Sequence, residues 1–111
     1  MNCEEKKDYL QNYIVHIAMA KRIREMMKSY PDDAKRFIPQ LETAVKICRC
    51  IEGEIDIVTP RIYAEILAHK YMYGKNLNEI AEIMNYSKRQ IERLHRLALE
   101  RFKPIGTDLI Q

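Results

Sequence analysis

The chain has 111 residues, 19 of them lysine or arginine and 16 aspartate or glutamate, for a net charge of +3; 47% are hydrophobic and 32% charged. That balance suits one folded domain, or one small domain with an extension, and the three glycines and four prolines leave little room for long disordered loops. No apolar run approaches the ~20 residues of a membrane span, and the opening MNCEEKKDYL is too polar for a secretory leader, so the expected setting is the cytoplasm with no membrane partner.

Strand patterns are scarce, and the expected fold class is all-α. Residues 5 to 30 read as one long helix. Leu10, Tyr13, Ile14, Ile17, Ala20, Ile23, Met27 and Tyr30 recur three or four apart, a continuous apolar stripe. His16 lies beside it and reads as a boundary residue. Tyr30-Pro31-Asp32-Asp33 ends the helix, and a short helical turn over residues 33 to 37 precedes the next. Pro39 fits the first turn of a second helix starting near Ile38. Leu41, Ala44, Val45, Cys48 and Ile51 make its stripe, and Gly53 is placed as its C-terminal cap. The two stripes predict an antiparallel helical hairpin over 1–58, held chiefly by Ile14, Ile17, Ile23, Leu41 and Val45. Self-association of the long first helix into a homodimer is the alternative use of its stripe.

Residues 54 to 59, EIDIVT, alternate polar and apolar, but six residues make no useful isolated strand, so they read as an extended linker. Thr59 is placed as the cap of a third helix with Pro60 at its first position. Ile62, Ile66, Leu67 and Tyr71 form that helix's inner face, and Gly74 ends it. A fourth helix follows, capped by Asn78, with Ile80, Ile83 and Met84 on one face. Asn85-Tyr86 interrupts it, Asn85 standing where a left-handed turn residue is needed. Ser87 and Gln90 fit a capping box at the head of a fifth helix. Its stripe is Ile91, Leu94, Ala98 and Phe102, and Pro104 stops it. Residues 59–104 thus form a helix-turn-helix unit, and 105–111 a tail.

Charge follows the same division. Residues 1 to 59 hold ten basic and ten acidic side chains, whereas residues 60 to 104 hold nine basic against five acidic. A one-sided basic helix beside a turn of this spacing is what attraction to DNA phosphates requires. A recognition helix enters the major groove by its N-terminal turns, so Lys88, Arg89 and Arg93 are the base-contacting candidates. Arg96, Lys75 and Arg61 are the phosphate-contacting ones. Gln90 is assigned to the cap in preference to adenine.

The stretch from Tyr73 to Phe102 also resembles region four of bacterial sigma factors and the small sigma-like regulators of phages and mobile elements. The matching residues are Tyr73-Gly74, Leu77, Glu79-Ile80-Ala81-Glu82, Ser87, Ile91 and Ala98-Leu99. Two positions depart from that pattern. Asn85 replaces the turn glycine, and Lys88-Arg89-Gln90 replaces the family's arginine-glutamate pair, which leaves the DNA sequence read undetermined. The resemblance implies a sequence-specific transcriptional regulator that binds double-stranded DNA, and it points to the same three base-contacting positions. It also implies RNA polymerase as a partner. The alternatives are therefore a polymerase-binding protein without DNA readout, or a phage DNA-packaging subunit of the small-terminase kind. A complete sigma factor is excluded, because the residues before Arg61 do not resemble a promoter-melting region.

An enzyme is not expected. His16, His69 and His95 have no partner at a catalytic spacing, and there is no phosphate-binding glycine loop. Three cysteines, Cys3, Cys48 and Cys50, are an odd count with no C-x-x-C pair. The reading is reduced thiols, no metal and no cofactor.

Overall fold

The computed structural model describes residues 1–107; residues 108–111, the end of the expected tail, lie outside the described residues. The described residues are predominantly helical and contain no strand. Helix α1 spans Cys3–Ser29, α2 Ala34–Asp56, α3 Arg61–Leu67, α4 Leu77–Met84 and α5 Lys88–Arg101. A 3-10 turn, Pro31–Asp33, joins α1 to α2, and a π-helical segment, Ala68–Met72, extends α3. None of these helices is long and apolar enough to cross a membrane.

Asn2 and Glu5 open α1 with a reciprocal cap: the Glu5 amide donates to Asn2 Oδ1 at 2.8 Å and the Asn2 amide to Glu5 Oε1 at 3.1 Å. Helices α1 and α2 pair antiparallel. The Tyr9 hydroxyl donates to Glu54 at 2.5 Å, while Tyr13, one turn later on α1, donates to Glu52 at 3.1 Å. Burial raises the pKa of both phenols, and the neighbouring carboxylates raise it further, Tyr13 to about 12. Both hydroxyls therefore stay protonated as donors at neutral pH.

One core joins the parts. Tyr9, Leu10 and Tyr13 of α1 pack with Ile47, Cys48, Ile51 and Ile55 of α2, with Ala64 and Leu67 of α3, with Tyr71, and with Ala98, Leu99 and Phe102. The Tyr9 and Phe102 rings lie 6.0 Å apart. Lys6 reaches across 93 residues of sequence to donate from Nζ to the Leu99 carbonyl at 2.8 Å and, more weakly, to that of Glu100 at 3.2 Å. These are among the last carbonyls of α5, which lack helical partners. The buried Glu54 carboxylate also accepts from the amides of Ile105 and Gly106. The start of the tail is thus strapped onto α2.

The molecule measures 52 × 28 × 20 Å, with a radius of gyration of 16.0 Å, against about 13 Å for a compact domain of ~100 residues. The excess length is the far half of α1 with the facing half of α2, which run on past the shared core as a two-helix arm.

The structure corrects several expectations. Ile14 and Ile17 are each 45% exposed, and Leu41 and Val45 only half-buried; of the five residues expected to hold the helix pair, Ile23 alone is buried. The apolar stripe of α1 is wider than α2 can cover, and Leu10, Tyr13, Ile47 and Ile51 carry the contact. Helix α2 begins at Ala34, so Pro39 lies inside it. Lys35 through Arg36 and Ile38 through Gln40 are exposed, and solvent can take the carbonyl that proline leaves without a donor. Gly53 does not cap α2, and residues 54–56 are not an extended linker; the helix runs through both to Asp56. Pro60, not Thr59, occupies the capping position of α3.

Candidate nucleic-acid interface

Helices α3, α4 and α5 meet around a small second core of Ile66, Ile80, Ala81 and Ile91, with Ile62, Leu77, Met84 and Leu94 packed at its edge. The small side chain of Ala81 lets α4 approach its neighbours closely. Asn85 ends α4 at φ 60, ψ 45, the left-handed conformation. The Tyr86 amide then returns to the Ala81 carbonyl at 3.0 Å, and that of Asn85 to Glu82 at 3.3 Å. This pair of bonds closes a Schellman turn. Asparagine serves there because its short polar side chain tolerates positive φ better than most.

The cap of α4 is Asn76 rather than Asn78. The Glu79 amide donates to Asn76 Oδ1 at 2.8 Å, and the Asn76 amide to Glu79 Oε1 at 3.0 Å. Asn78 is the second residue of the helix and is exposed. Only the asparagine three positions before Glu79 can make the reciprocal pair. Ser87 heads α5: its hydroxyl accepts from the Gln90 amide at 3.2 Å, and Gln90 Oε1 accepts from the Ser87 amide at 3.0 Å. The Gln90 side chain is thus engaged at the helix start.

Behind this cap α5 sorts its side chains sharply. Ile91, His95, Ala98, Leu99 and Phe102 are buried. At ~100° per residue, Arg89, Arg93 and Arg96 fall within an arc of about 60° on the opposite side, and all three are exposed. With Gln90 and Glu92 they line one open, shallow depression. Lys88 lies about a quarter-turn off that line and stands 3.9 Å from Glu92, both side chains more than half exposed. So loose a pair in water is worth little and exchanges readily.

The other two candidate cations lie elsewhere. Arg61, at the head of α3, pairs with Asp56 at 3.1 Å. Lys75 follows Gly74, whose φ of 67 allows the chain to leave the π-helical segment, and its amide donates to the His69 carbonyl at 2.9 Å. It borders a groove shared with Gln11, Ile14 and Val15 of α1. Arg89, Arg93 and Arg96 therefore share one surface, while Arg61 and Lys75 flank α3 and α4.

Sequence reasoning missed the groups that hold α5 from behind. His95, 6% exposed, shares a 2.9 Å hydrogen bond between Nε2 and the Tyr71 hydroxyl. Burial, helped by the nearby Lys70 and Lys7 ammonium groups, lowers the His95 pKa to about 4. His95 is thus neutral at pH 7 and adds no charge to the arginine face. Its spacing, four residues after Ile91 and three before Ala98, already placed it on the apolar stripe. Lys6, which grips the far end of the same helix, gave no local sign. Of the cysteines, Cys48 is buried with its thiol directed at the Tyr13 carbonyl, 3.7 Å away. Cys3 and Cys50 are half-buried free thiols. Compared with protein-family models, with curated proteins and with solved structures, the chain finds no match in any of the three.

Proposed function

We propose that the chain is a sequence-specific DNA-binding regulator of transcription, a helix-turn-helix protein of the sigma region four kind from a phage or mobile element, that sets α5 in the major groove. The observation that carries this reading is the exposed line of Arg89, Arg93 and Arg96 on a capped helix whose other face is buried. Arg89 and Arg93, in the first two turns, read base edges, with Lys88 beside them. Each arginine that grips a guanine in two places discriminates by about 1–3 kcal/mol. Arg96, further along the helix, meets phosphate, as do Lys75 and Arg61 at the flanks, and these contacts raise affinity without choosing sequence.

The test is titration of labelled duplexes at several salt concentrations, after selection of a preferred site from random DNA. Arg89→Ala or Arg93→Ala weakens binding to that site by about 1–3 kcal/mol and relaxes the choice of base at one position. Arg96→Ala weakens binding to all sequences alike and lowers the salt slope by roughly one. No binding by the wild type at low salt refutes the reading.

One observation favours a second reading, a partner of RNA polymerase without DNA readout. Ile83 is 52% and Tyr86 39% exposed. With Ile62 and Met84 they line an open groove edged by Arg61, Glu65 and His69, a mixed apolar and polar surface of the sort that proteins dock on. Retention of purified polymerase, lost on Ile83→Glu, together with no affinity for DNA, selects this alternative.

A further inference from the structure

The arm formed by the far half of α1 has a face that the fold leaves unused. At ~100° per residue, Ile14, Ile17, Lys21, Arg24 and Lys28 share one narrow stripe along α1, and all five are exposed. On α1 itself Glu25 is the one acidic residue beside it, and Asp32 and Asp33 follow in the turn after Lys28. The stripe begins where α1 meets the turn before α4: a Cβ placed on Gly74 would stand 3.8 Å from Ile14 Cδ1. Lys70 and Lys75 border the same groove as Ile14 and Val15. Five cations therefore follow one another from the head of α4 outward along α1. The run from Ile14 to Lys28 spans about 21 Å at 1.5 Å per residue, the axial length of about six base pairs at 3.4 Å each.

Two ordinary explanations fall short. A helix dipole favours cations only within about the last turn, which accounts for Lys28 but not for Lys21, two turns earlier. Internal ion pairing does not use them either. Glu25 stands four residues after Lys21 and three before Lys28, yet none of Lys21, Arg24 and Lys28 lies within an ion pair among the described residues. A seam between two antiparallel copies would place Lys21 against Lys21 and set lysines over isoleucines, so the charge disfavours a second copy of this chain.

We infer that this face of α1 is a phosphate rail, which carries the DNA backbone outward from Lys75 and lengthens the footprint beyond the segment read by α5. The inference rests on the proposed DNA-binding role of α5. The rail is blind to sequence, because lysine on a flexible stem meets phosphate as a point charge. It acts locally: the Debye length is about 8 Å at 0.15 M salt, shorter than the arm, so a duplex confined to α5 does not feel it.

The experiment compares the full chain with Lys21→Ala/Arg24→Ala/Lys28→Ala on two duplexes centred on the selected site, one of about 12 and one of about 30 base pairs, roughly one and three helical turns. All three residues are exposed, and circular dichroism and melting check that the variant keeps its fold. Expected is a loss of tenfold or more on the long duplex, a salt slope lower by about three, unchanged affinity for the short duplex and unchanged base preference. Equal affinity of variant and wild type for the long duplex overturns the rail. Equal loss on both duplexes overturns it too, as a general effect of net charge. A wild-type mass twice that of one chain, halved by Ile17→Glu, would make the face a seam between copies and overturn it. If the wild type binds neither duplex, the DNA-binding reading of α5 falls and the rail with it; if it binds both with the same affinity and salt slope, only the rail falls.

Discussion

Acid should loosen this protein through one side chain. His95 is 6% exposed and held by the Tyr71 hydroxyl, and burial together with the nearby Lys70 and Lys7 charges lowers its pKa from an ordinary 6.5 to about 4. Between those values the unfolded chain binds a proton at this position and the folded chain does not. Stability therefore rises with pH across that window, is complete above about 6.5, and is lost as pH falls through about 4. At about 1.4 kcal/mol per pH unit the full effect is about 3 kcal/mol, a large share of the ~5–15 kcal/mol that holds a typical domain. His95→Gln keeps a polar group within reach of Tyr71 but does not titrate. Urea unfolding of wild type and variant at a series of pH values from 4 to 8 isolates the contribution, because carboxylates common to both proteins cancel in the difference. The wild type should lose about 3 kcal/mol relative to the variant between pH 6.5 and 4. A difference that stays flat across that range would show that His95 is not buried as a neutral ring.

Two further perturbations address packing. Gly53 lies inside α2 with nothing within 4 Å of an added Cβ, so Gly53→Ala should stabilise the protein by about 0.5–1 kcal/mol in the same assay; destabilisation would contradict a helix running through it. Leu10→Ala, at a site with no exposure, should cost about 2–5 kcal/mol, and Ile14→Ala, nearly half exposed, much less. Equal losses would mean that the outer face of α1 is covered in solution.

Much of the region from α4 to α5 was legible because its determinants are local. The left-handed Asn85, the Ser87–Gln90 cap and the apolar anchors Ile80 and Ile91 all act within a few residues of themselves. The cap of α4 is ambiguous in sequence: Asn76-Leu77-Asn78-Glu79 offers two asparagines, and the three-residue spacing to Glu79 selects Asn76. Glu54 could not be read. Its carboxylate is satisfied by Tyr9, 45 residues before it, and by Gly106, 52 residues after it, and no pattern within EIDIVT announces either. The exposure of Ile14 and Ile17 is hidden from the sequence for a related reason. Periodicity marks an apolar stripe, but how much of it is covered depends on the width of whatever packs there.

The reach of Lys6 to Leu99, and of Tyr9 to Phe102, bears on how the chain takes shape as it is synthesised. The surface of α1 that carries Lys6 and Tyr9 leaves the ribosome more than ninety residues before its partners on α5. Helices α1 and α2 can pair early, since only a short turn separates them. The end of the pair that meets α5 stays open to water and to other chains until α5 has emerged. Closing contacts of such long separation is slow. Completion of α5 is therefore the step at which the nascent chain passes from a partly open helix pair to a closed core, and the arginine face acquires its rigid backing only then.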